Sequence, residues 1–264
     1  MFLMRLYYLH IKFTIKAQIQ YRTNFITGIF TNFYAYFLIY ISISIITFRF
    51  KEINGWEYDE LVFLAALNLF SYSIASTLLW DFVAGLENYI NDGRFDNILI
   101  RPIDPIYSMI FDGFSWSGIG QIIVSFFFLF ISISNVDVEW TFFKICYIII
   151  SIIGSILIQC AALIFFGSLS FWLKKSLTLA QLLFINFRSV INYPISIYGT
   201  VIKGLLTFIL PWSFINYYPA VFILDKQDPY KFNYLLTPII GLLFFSFSVW
   251  LTNLGIKKYK SVGN

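Results

Sequence analysis

The sequence is short of charged residues. Only 12% of its 264 residues are Asp, Glu, Lys or Arg, whereas 59% are hydrophobic and 22% are aromatic. Soluble domains carry about 25% charged residues, so a water-soluble fold of this length could not cover its surface. The composition therefore predicts a protein whose solvent is the lipid bilayer.

Residues that usually carry catalysis or bind metals are also scarce. The single histidine, His10, has no cysteine or carboxylate cluster beside it, so no Ser-His-Asp arrangement can be built. Cys146 and Cys160 lie on one predicted span and are too far apart along a helix for a disulfide. We expect no catalytic centre in this chain and no metal or cofactor bound to it.

A phosphate-binding loop is missing as well. ATP-driven proteins carry the pattern Gly-x-x-x-x-Gly-Lys-Ser/Thr, and the nearest stretch here, residues 199–205, lacks the lysine. An ATP-driven process involving this chain would therefore take its nucleotide site from another subunit.

Apolar stretches of bilayer length are abundant. A spanning helix needs about 20 such residues, and we predict an all-α membrane protein with six spans. They are placed at 25–47, 61–79, 114–134, 142–172, 177–193 and 235–254.

Prolines break the apolar tract before the last span, at Pro194, Pro211 and Pro219. We predict that 195–224 forms re-entrant helices entering from the outer face, since irregular backbone is tolerated where protein or water buries it. A tight extra hairpin is the alternative.

The distribution of Lys and Arg predicts the orientation, because these residues favour cytoplasmic loops. With the amino terminus inside, the inner segments hold eleven basic residues and the outer segments six. The inner residues are Arg5, Lys12, Lys16, Arg22, Arg94, Arg101, Lys174, Lys175, Lys257, Lys258 and Lys260. Both termini are therefore predicted to be cytoplasmic.

Two segments outside the spans have their own patterns. Residues 5–22 place their cations on one stripe of a helix, which predicts an interfacial helix on anionic lipid; a basic leader is the alternative. Residues 81–105 form the longest polar interval and are predicted to be a cytoplasmic segment. Within it, Asn91-Asp92-Gly93 signals a turn, Asp96 is predicted to cap a helix over 97–100, and Pro102 to end it.

Two stretches resemble the motifs of one family. Gly93-Arg94-Phe95-Asp96-Asn97-Ile98-Leu99-Ile100-Arg101-Pro102 resembles the Gly-x-Phe-Asp-x-x-Leu-x-Arg-Pro signature of ABC-2-type transporter permeases. Pro211-Trp212-Ser213-Phe214-Ile215-Asn216-Tyr217-Tyr218-Pro219-Ala220 is similar to the Pro…Tyr-x-Pro-Ala segment that precedes their last span.

The resemblance implies a six-span exporter subunit of the plasma membrane. It implies that two permeases pair, identical or related, and that each docks a separate ATPase carrying ATP and Mg through a coupling helix between spans two and three. The residues predicted to couple the two subunits are Glu87, Gly93, Phe95, Asp96, Leu99, Arg101 and Pro102. The re-entrant segment would be marked by Pro211, Tyr218 and Pro219.

Two polar residues within predicted spans are candidates for the transport pathway. Arg188 should face protein or water because a charge at bilayer depth is costly; it either selects anionic groups, pairs with a partner's carboxylate, or reaches an interface. Gln159 is the second candidate, with a helix–helix hydrogen bond as its alternative.

Two rival functions stay open. Asn91-Asp92-Gly93-Arg94-Phe95-Asp96 has the spacing of an aspartate-rich loop, as in Mg-dependent membrane prenyltransferases, but a second acidic motif on another loop is missing. An ATP-independent channel or carrier is the other. No nucleic-acid partner is expected.

Overall fold

The computed structural model describes residues 22–50, 52–115, 118–173, 175–227 and 231–261. The predicted interfacial helix at 5–22 lies outside these ranges except for its last residue, so it stays a prediction. The described chain is almost entirely helical, with a small two-stranded hairpin.

The first half of the chain consists of long helices joined by short connections. In order, its elements are α1 (Arg22–Phe50), β1 (Glu52–Ile53), β2 (Trp56–Glu57), α2 (Tyr58–Asn91), α3 (Phe95–Leu99), α4 (Pro105–Asp112), α5 (Gly118–Asn135) and α6 (Phe142–Ser168). The strands pair antiparallel through a turn at Asn54-Gly55, both with positive φ, as a two-residue hairpin requires.

The second half is more broken. After a 3-10 turn, Leu169–Phe171, come α7 (Ser176–Leu179), π-helical Ala180–Asn186, α8 (Phe187–Val190), 3-10 Ile195–Ile197, α9 (Thr200–Gly204), π-helical Leu205–Ile209, 3-10 Pro211–Phe214, α10 (Tyr217–Ile223), 3-10 Lys231–Leu236 and α11 (Thr237–Lys258).

Five helices of the described chain are long and apolar enough to cross a bilayer, and a sixth crossing is added if the bent pair described below is one span. The five are Ile26–Ile46, Tyr58–Asn91, Gly118–Asn135, Phe142–Phe171 and Asn233–Lys258. They coincide with five of the six predicted spans. The prediction of an all-α membrane protein is confirmed.

The predicted span at 177–193 corresponds to one continuous helical stretch, residues 176–190. At about 1.5 Å per residue it is about 22 Å long, less than the ~30 Å hydrocarbon core. One face of it packs on the bundle, because Phe184 is fully buried between Tyr72 of α2 and Phe166 of α6. Another face is open, since Leu182 and Leu183 are exposed.

The molecule has two distinct ends. We call the end with the β-hairpin the hairpin end, and residues 92–104, between α2 and α4, the elbow. The chain after α10 returns to the hairpin end, where Lys226 Nζ lies 2.6 Å from a Glu60 carboxylate oxygen. The chain after α11 reaches the elbow, where Ser261 donates a hydrogen bond to Asp96. Because α1 runs toward the hairpin, its first residue, Arg22, also lies at the elbow end.

The α2 helix is longer than its apolar core indicates. The span was predicted at 61–79 with a cytoplasmic segment at 81–105 after it, and α2 continues into that segment as far as Asn91. Phe82, Val83 and Leu86 recur at helical spacing and are buried, so one face of this stretch packs on the protein while its polar face is open. The expected turn comes only at Asp92-Gly93, and that part of the prediction is correct.

Small residues allow close approach of the helices at the centre. A Cβ added at Gly241 of α11 would lie 2.7 Å from the carbonyl oxygen of Gly154 in α6. A Cβ at Gly118 of α5 would collide with Thr77 of α2, at 2.2 Å from its hydroxyl. Close backbone contact is how helices gain packing energy in lipid, where burial of apolar surface drives nothing.

The segment before α11 is a pair of helical limbs, Thr200–Ile209 and Pro211–Ile223, bent by 73°. Both limbs lie near the hairpin end: the Tyr217 ring is 5.8 Å from that of Trp56, and Lys203 Nζ is 6.0 Å from Tyr217. The bend lies deeper, since Trp212 is fully buried and its ring is 5.3 Å from that of Phe184.

Candidate functional site

The elbow begins where α2 is forced to stop. Gly93 has φ +71, in the left-handed region that glycine enters without penalty, and a Cβ there would meet nothing within 4 Å. The amide of Asp92 donates to Asn88 O at 2.9 Å, and the Asp92 carboxylate pairs with Arg94 at 2.8 Å. The turn thereby redirects the chain across the end of the helix bundle.

One face of α3 is anchored on the bundle. Phe95 is fully buried, with its ring centroid 5.3 Å from Phe171 and 4.8 Å from Tyr259, both in edge-to-face geometry. Ile98, almost one turn later, is also buried. The ends of α6 and α11 therefore hold this short helix in place, and Phe95 is not available to a docking partner.

Asp96 has a different role from the one that its position predicted. It was expected to cap a helix over 97–100, but α3 begins at Phe95, so Asp96 lies within the first turn. Its carboxylate instead accepts from Ser261, beyond α11. The cap prediction was wrong because the turn at Gly93 leaves the backbone in helical conformation already at Arg94.

The opposite face of the elbow is open. Ile100 is 81% exposed and Leu99 is 39% exposed, and Arg101 and Pro102 are exposed as well. Arg101 Nη1 donates to Ser108 Oγ of α4 at 2.7 Å, which orients the arginine along the elbow. Leu99 and Ile100, at the end of α3, thus form an exposed apolar pair beside the polar residues of the elbow.

The following helix, α4, is firmly started. Asp104 is its N-cap and accepts from the Ile106 amide at 2.8 Å, with Pro105 at the first helical position. The elbow is therefore closed by a proper helix cap at this side and by Gly93 at the other.

Glu87 is held within the chain. Its Oε2 accepts from the Leu177 amide at 2.6 Å and from Ser176 Oγ at 3.1 Å. A carboxylate at a helix N-terminus satisfies free amides and the positive end of the helix dipole. Glu87 thus joins the elbow end of α2 to the first turn of α7, and its predicted coupling role would act through this link.

A buried amide network ties α2 to the rest of the bundle. Gln159 of α6 donates to Asn68 Oδ1 at 3.2 Å and to Ser71 Oγ at 3.0 Å, and Asn68 donates to Asn192 Oδ1 at 2.8 Å. Gln159 is fully buried. The structure thus gives Gln159 the helix–helix hydrogen bond that was its alternative interpretation, and its pathway role stays a prediction.

Arg188 lies at the edge of this network, inside the protein. Its guanidinium carbon is 3.6 Å from the centroid of the Tyr72 ring, a cation–π contact. Its backbone carbonyl accepts from Asn68 at 3.4 Å. Arg188 also lines a cavity of about 400 Å³ between α1, α2, α5 and the 176–190 helix. Of the two predicted pathway residues, Arg188 and Gln159, Arg188 is therefore the one that lines this cavity.

The three residues predicted to mark the broken tract are all buried. Pro211 and Pro219 occupy early helical positions, where the missing N–H is not needed, and Tyr218 packs on Phe214 at 4.8 Å. Asn216 at the junction donates to the Leu64 and Ile191 carbonyls. This side chain therefore fixes the break against α2 and the end of the 176–190 helix.

Several residues at these sites were missed by sequence reasoning. A lone amide within an apolar span, as at Asn68 and Gln121, is a signal that could have been used, because such groups need partners in lipid. The aromatic partners Tyr36, Tyr72 and Tyr259 carried no signal, since tyrosines are numerous in this chain.

The aspartates of the elbow are not gathered for a metal ion. Asp92 pairs with Arg94 and Asp96 accepts from Ser261. Across the ranges that the structure describes, no three His, Cys, Asp or Glu side chains are grouped as a metal site would need.

The fold and these sites define a multi-pass α-helical membrane protein with a surface elbow and a polar cavity within its helices. The chain belongs to the ABC-2 transporter family, because the model of that family, ABC-2 family transporter protein, matches residues 33–263. It is thus a membrane permease component of an ABC transporter. Comparison with curated proteins and with solved structures found no match.

Proposed function

We propose that this chain is the transmembrane half of an ABC exporter, driven by a separate ATPase that docks on the exposed face of the elbow. The observation that carries the proposal is the two-sidedness of α3. Phe95 and Ile98 fix the helix to the bundle, while Leu99 and Ile100 are directed outward. A segment that transmits movement from a docked subunit must be fixed to the bundle on one side and accessible on the other. The elbow has both properties.

The force would enter the bundle through three links. Phe95 contacts the ends of α6 and α11, and the elbow is continuous with α2. Glu87 connects α2 to α7. A displacement of the elbow would therefore reach α2, α6, α7 and α11 together, and α2 and α6 are the helices that carry Asn68 and Gln159 of the polar network.

The elbow end is proposed to be cytoplasmic. Exposed basic residues gather there: Arg94, Arg101, Lys175, Lys257, Lys258 and Lys260. At the hairpin end Lys144 and Lys226 are paired with Asp225 and Glu60, and Arg49 and Lys203 are other cations there. The larger number of exposed cations at the elbow end supports this proposal through the positive-inside rule, and with it the proposal that both termini are cytoplasmic in a plasma-membrane protein.

The bent pair at 200–223 is proposed to be re-entrant and not a broken span. This is supported by the position of both limbs near the hairpin end and of Trp212 deeper between them. Cysteines introduced at Val201 and Lys226 should both react with an impermeant thiol reagent added from outside. A broken span would expose one of them only to reagent added from inside.

We also propose that two permease chains pair, as the resemblance implies. Large apolar surfaces support this: only 13% of the most apolar stretch of α1 and 22% of that of α5 is buried within the chain. Native mass spectrometry of the purified complex would give the number of permease and ATPase chains. A complex with a single permease chain would contradict the pairing.

The experiment that tests docking truncates the exposed face alone. In the variant Leu99→Ala/Ile100→Ala, we expect the amount of ATPase that copurifies to fall at least about tenfold, as for central hot-spot residues of an interface. The matched control is Ile149→Ala/Ile150→Ala, which truncates an adjacent pair that is 55% and 49% exposed on α6. Equal ATPase recovery with both variants would reject the elbow as the docking site.

A further inference from the structure

Arg188 is a charge without a counter-charge among the described residues. Its Nε and Nη1 nitrogens are shielded from solvent and donate to no acceptor in the part of the chain that the structure describes. Its guanidinium lies against the face of Tyr72, which satisfies the charge only in part. Buried donors of a guanidinium are normally satisfied, so an orphaned pair indicates a missing acceptor.

The acidic residues that the structure describes lie elsewhere. Among them, only Asp81 falls well inside a spanning helix, and it lines a different cavity, with Met109 and Gly113. The ion pairs recorded among the described residues join Arg94 to Asp92, Lys144 to Asp225 and Lys226 to Glu60. Within the described chain, the acceptor that Arg188 lacks is therefore not an intramolecular carboxylate.

The cavity beside Arg188 is large enough for a ligand. Its volume of about 400 Å³ lies within the ~300–1,000 Å³ of small-molecule sites. It extends from Tyr72, near the middle of α2, to Trp80 and Gly118 at the elbow half of the bundle. Apolar side chains line much of it, including Ile39 and Leu69.

Further polar groups stand opposite the arginine in the same cavity. Gln121 Nε2 of α5 donates to the Tyr36 hydroxyl of α1 at 2.7 Å, and both residues line the space with Ser76 of α2. The Tyr36 hydroxyl is thereby left with a proton to donate. The Arg188 guanidinium, the Tyr36 phenol and the Ser76 hydroxyl, each from a different helix, thus line one cavity together with apolar side chains.

We propose that this cavity binds the anionic group, a phosphate or carboxylate, of an amphipathic molecule, with Arg188 as the counter-charge. Arginine suits this role because its planar donors match both oxyanions, and the apolar wall would hold the remainder of the molecule. The proposal deepens the proposed transport function by naming the class of cargo. The π-helical turns of Ala180–Asn186, directly before Arg188, support it, because such turns often occur at functional sites.

The test uses the isolated chain, without an ATPase, in phosphatidylcholine nanodiscs. Octyl phosphate is titrated, and binding is followed by the fluorescence of Trp80, which lines the cavity; Trp80→Phe identifies its share of the signal. We expect saturable binding that Arg188→Gln weakens about ten- to a hundredfold, the range for hydrogen bonds to a charged group. Arg188→Lys keeps the charge but loses the planar pair of donors, so it should bind more tightly than Arg188→Gln and more weakly than the unchanged chain.

Two controls make the result specific. Arg49→Gln removes an exposed arginine from the hairpin end of α1 and should leave the affinity unchanged. Octyltrimethylammonium has the same octyl group as octyl phosphate but the opposite charge, and it should bind at least tenfold more weakly than octyl phosphate. Adding phosphatidylglycerol to the nanodiscs shows which molecule supplies the anionic group. If phosphatidylglycerol competes with octyl phosphate, the ligand is a lipid headgroup; if it does not compete, the ligand is a free amphiphile.

The proposal is overturned if Arg188→Gln binds octyl phosphate as tightly as the unchanged chain, or if both detergent-like ions bind equally. If Arg188→Gln does not fold, the Arg188→Lys variant is tested in its place. The proposal is then overturned if octyl phosphate changes the fluorescence of Arg188→Lys no more than it changes that of empty nanodiscs. Because no ATPase is present, failure here leaves the docking proposal untouched, and loss of ATPase docking leaves this result untouched.

Discussion

The two ends of this permease differ in the contacts that their residues make. At the hairpin end, Trp56 is buried against Tyr217, and Lys226 both pairs with Glu60 and donates to the Gly55 carbonyl at 2.8 Å. At the elbow end, Ile100 is 81% exposed and a cavity extends toward Trp80 and Gly118. Contacts among its own residues hold the hairpin end, and the elbow end presents an exposed apolar pair and adjoins the cavity.

Under our proposal that the elbow end is cytoplasmic, the cavity extends toward the cytoplasmic half of the bundle, the half on which we propose that an ATPase docks. The contrast also separates residues that hold the elbow in place from residues that a partner can reach, and the following predictions test that separation.

The largest effect is expected for the anchor of the elbow. Phe95→Ala removes a fully buried ring and should lower the free energy of unfolding by about 3–5 kcal/mol, whereas Leu99→Ala, at a partly exposed position, should cost about 1 kcal/mol at most. Unfolding by sodium dodecyl sulfate in mixed micelles measures both. Similar losses for the two variants would mean that α3 has no anchored face.

The link between α2 and α7 should follow. Glu87→Ala leaves the Leu177 amide and Ser176 without their charged acceptor, and we expect about 1.5–3 kcal/mol of destabilisation. Glu87→Gln keeps an acceptor and should lose less. If both variants are as stable as the unchanged protein in the same titration, this contact does not connect the helices.

Close packing at the elbow end predicts a steric effect. A Cβ at Gly255 would lie 2.2 Å from the Phe171 ring, next to Phe95, so Gly255→Ala should cost about 1–3 kcal/mol. Gly204 meets nothing within 4 Å of an added Cβ, so Gly204→Ala should be neutral or stabilise its helix by up to about 1 kcal/mol. Thermal unfolding in detergent compares the two, and a reversed order would contradict the packing.

The smallest effect is expected at the hairpin end. Lys226→Met breaks a partly accessible ion pair with Glu60 and should cost about 1 kcal/mol or less, diminishing as salt is added. The same denaturant titration at low and high salt measures it. A loss that salt does not change would show that packing on Trp56, and not charge, holds Lys226.

The positions of the elbow and the bent pair could be predicted from the sequence, but the contacts of their residues could not. Gly93, Pro102 and the prolines of 195–224 are local signals, because backbone restrictions act at the residue itself, and they marked the elbow and the bent pair. The burial of Phe95 could not be predicted, since its partners Phe171 and Tyr259 come from distant helices.

Arg188 stood out in the sequence because a charge within the bilayer is costly in free energy. The residues around it depend on the orientation of each helix about its own axis. In the apolar spans the periodicity is too weak to fix that rotation, so Tyr36, Tyr72 and Gln121 could not be assigned to its cavity. The continuation of α2 to Asn91 was missed for a related reason. Its polar face concealed an apolar face that packs on the bundle.

The central claim is that an ATPase contacts this chain through the outer face of the elbow. A photoreactive amino acid placed at Ile100, compared with one at the equally exposed Val201 (81% and 83%), tests it in native membranes. We predict a covalent permease–ATPase product from position 100 and none from position 201. No product from position 100, or equal yields from both, would contradict the account.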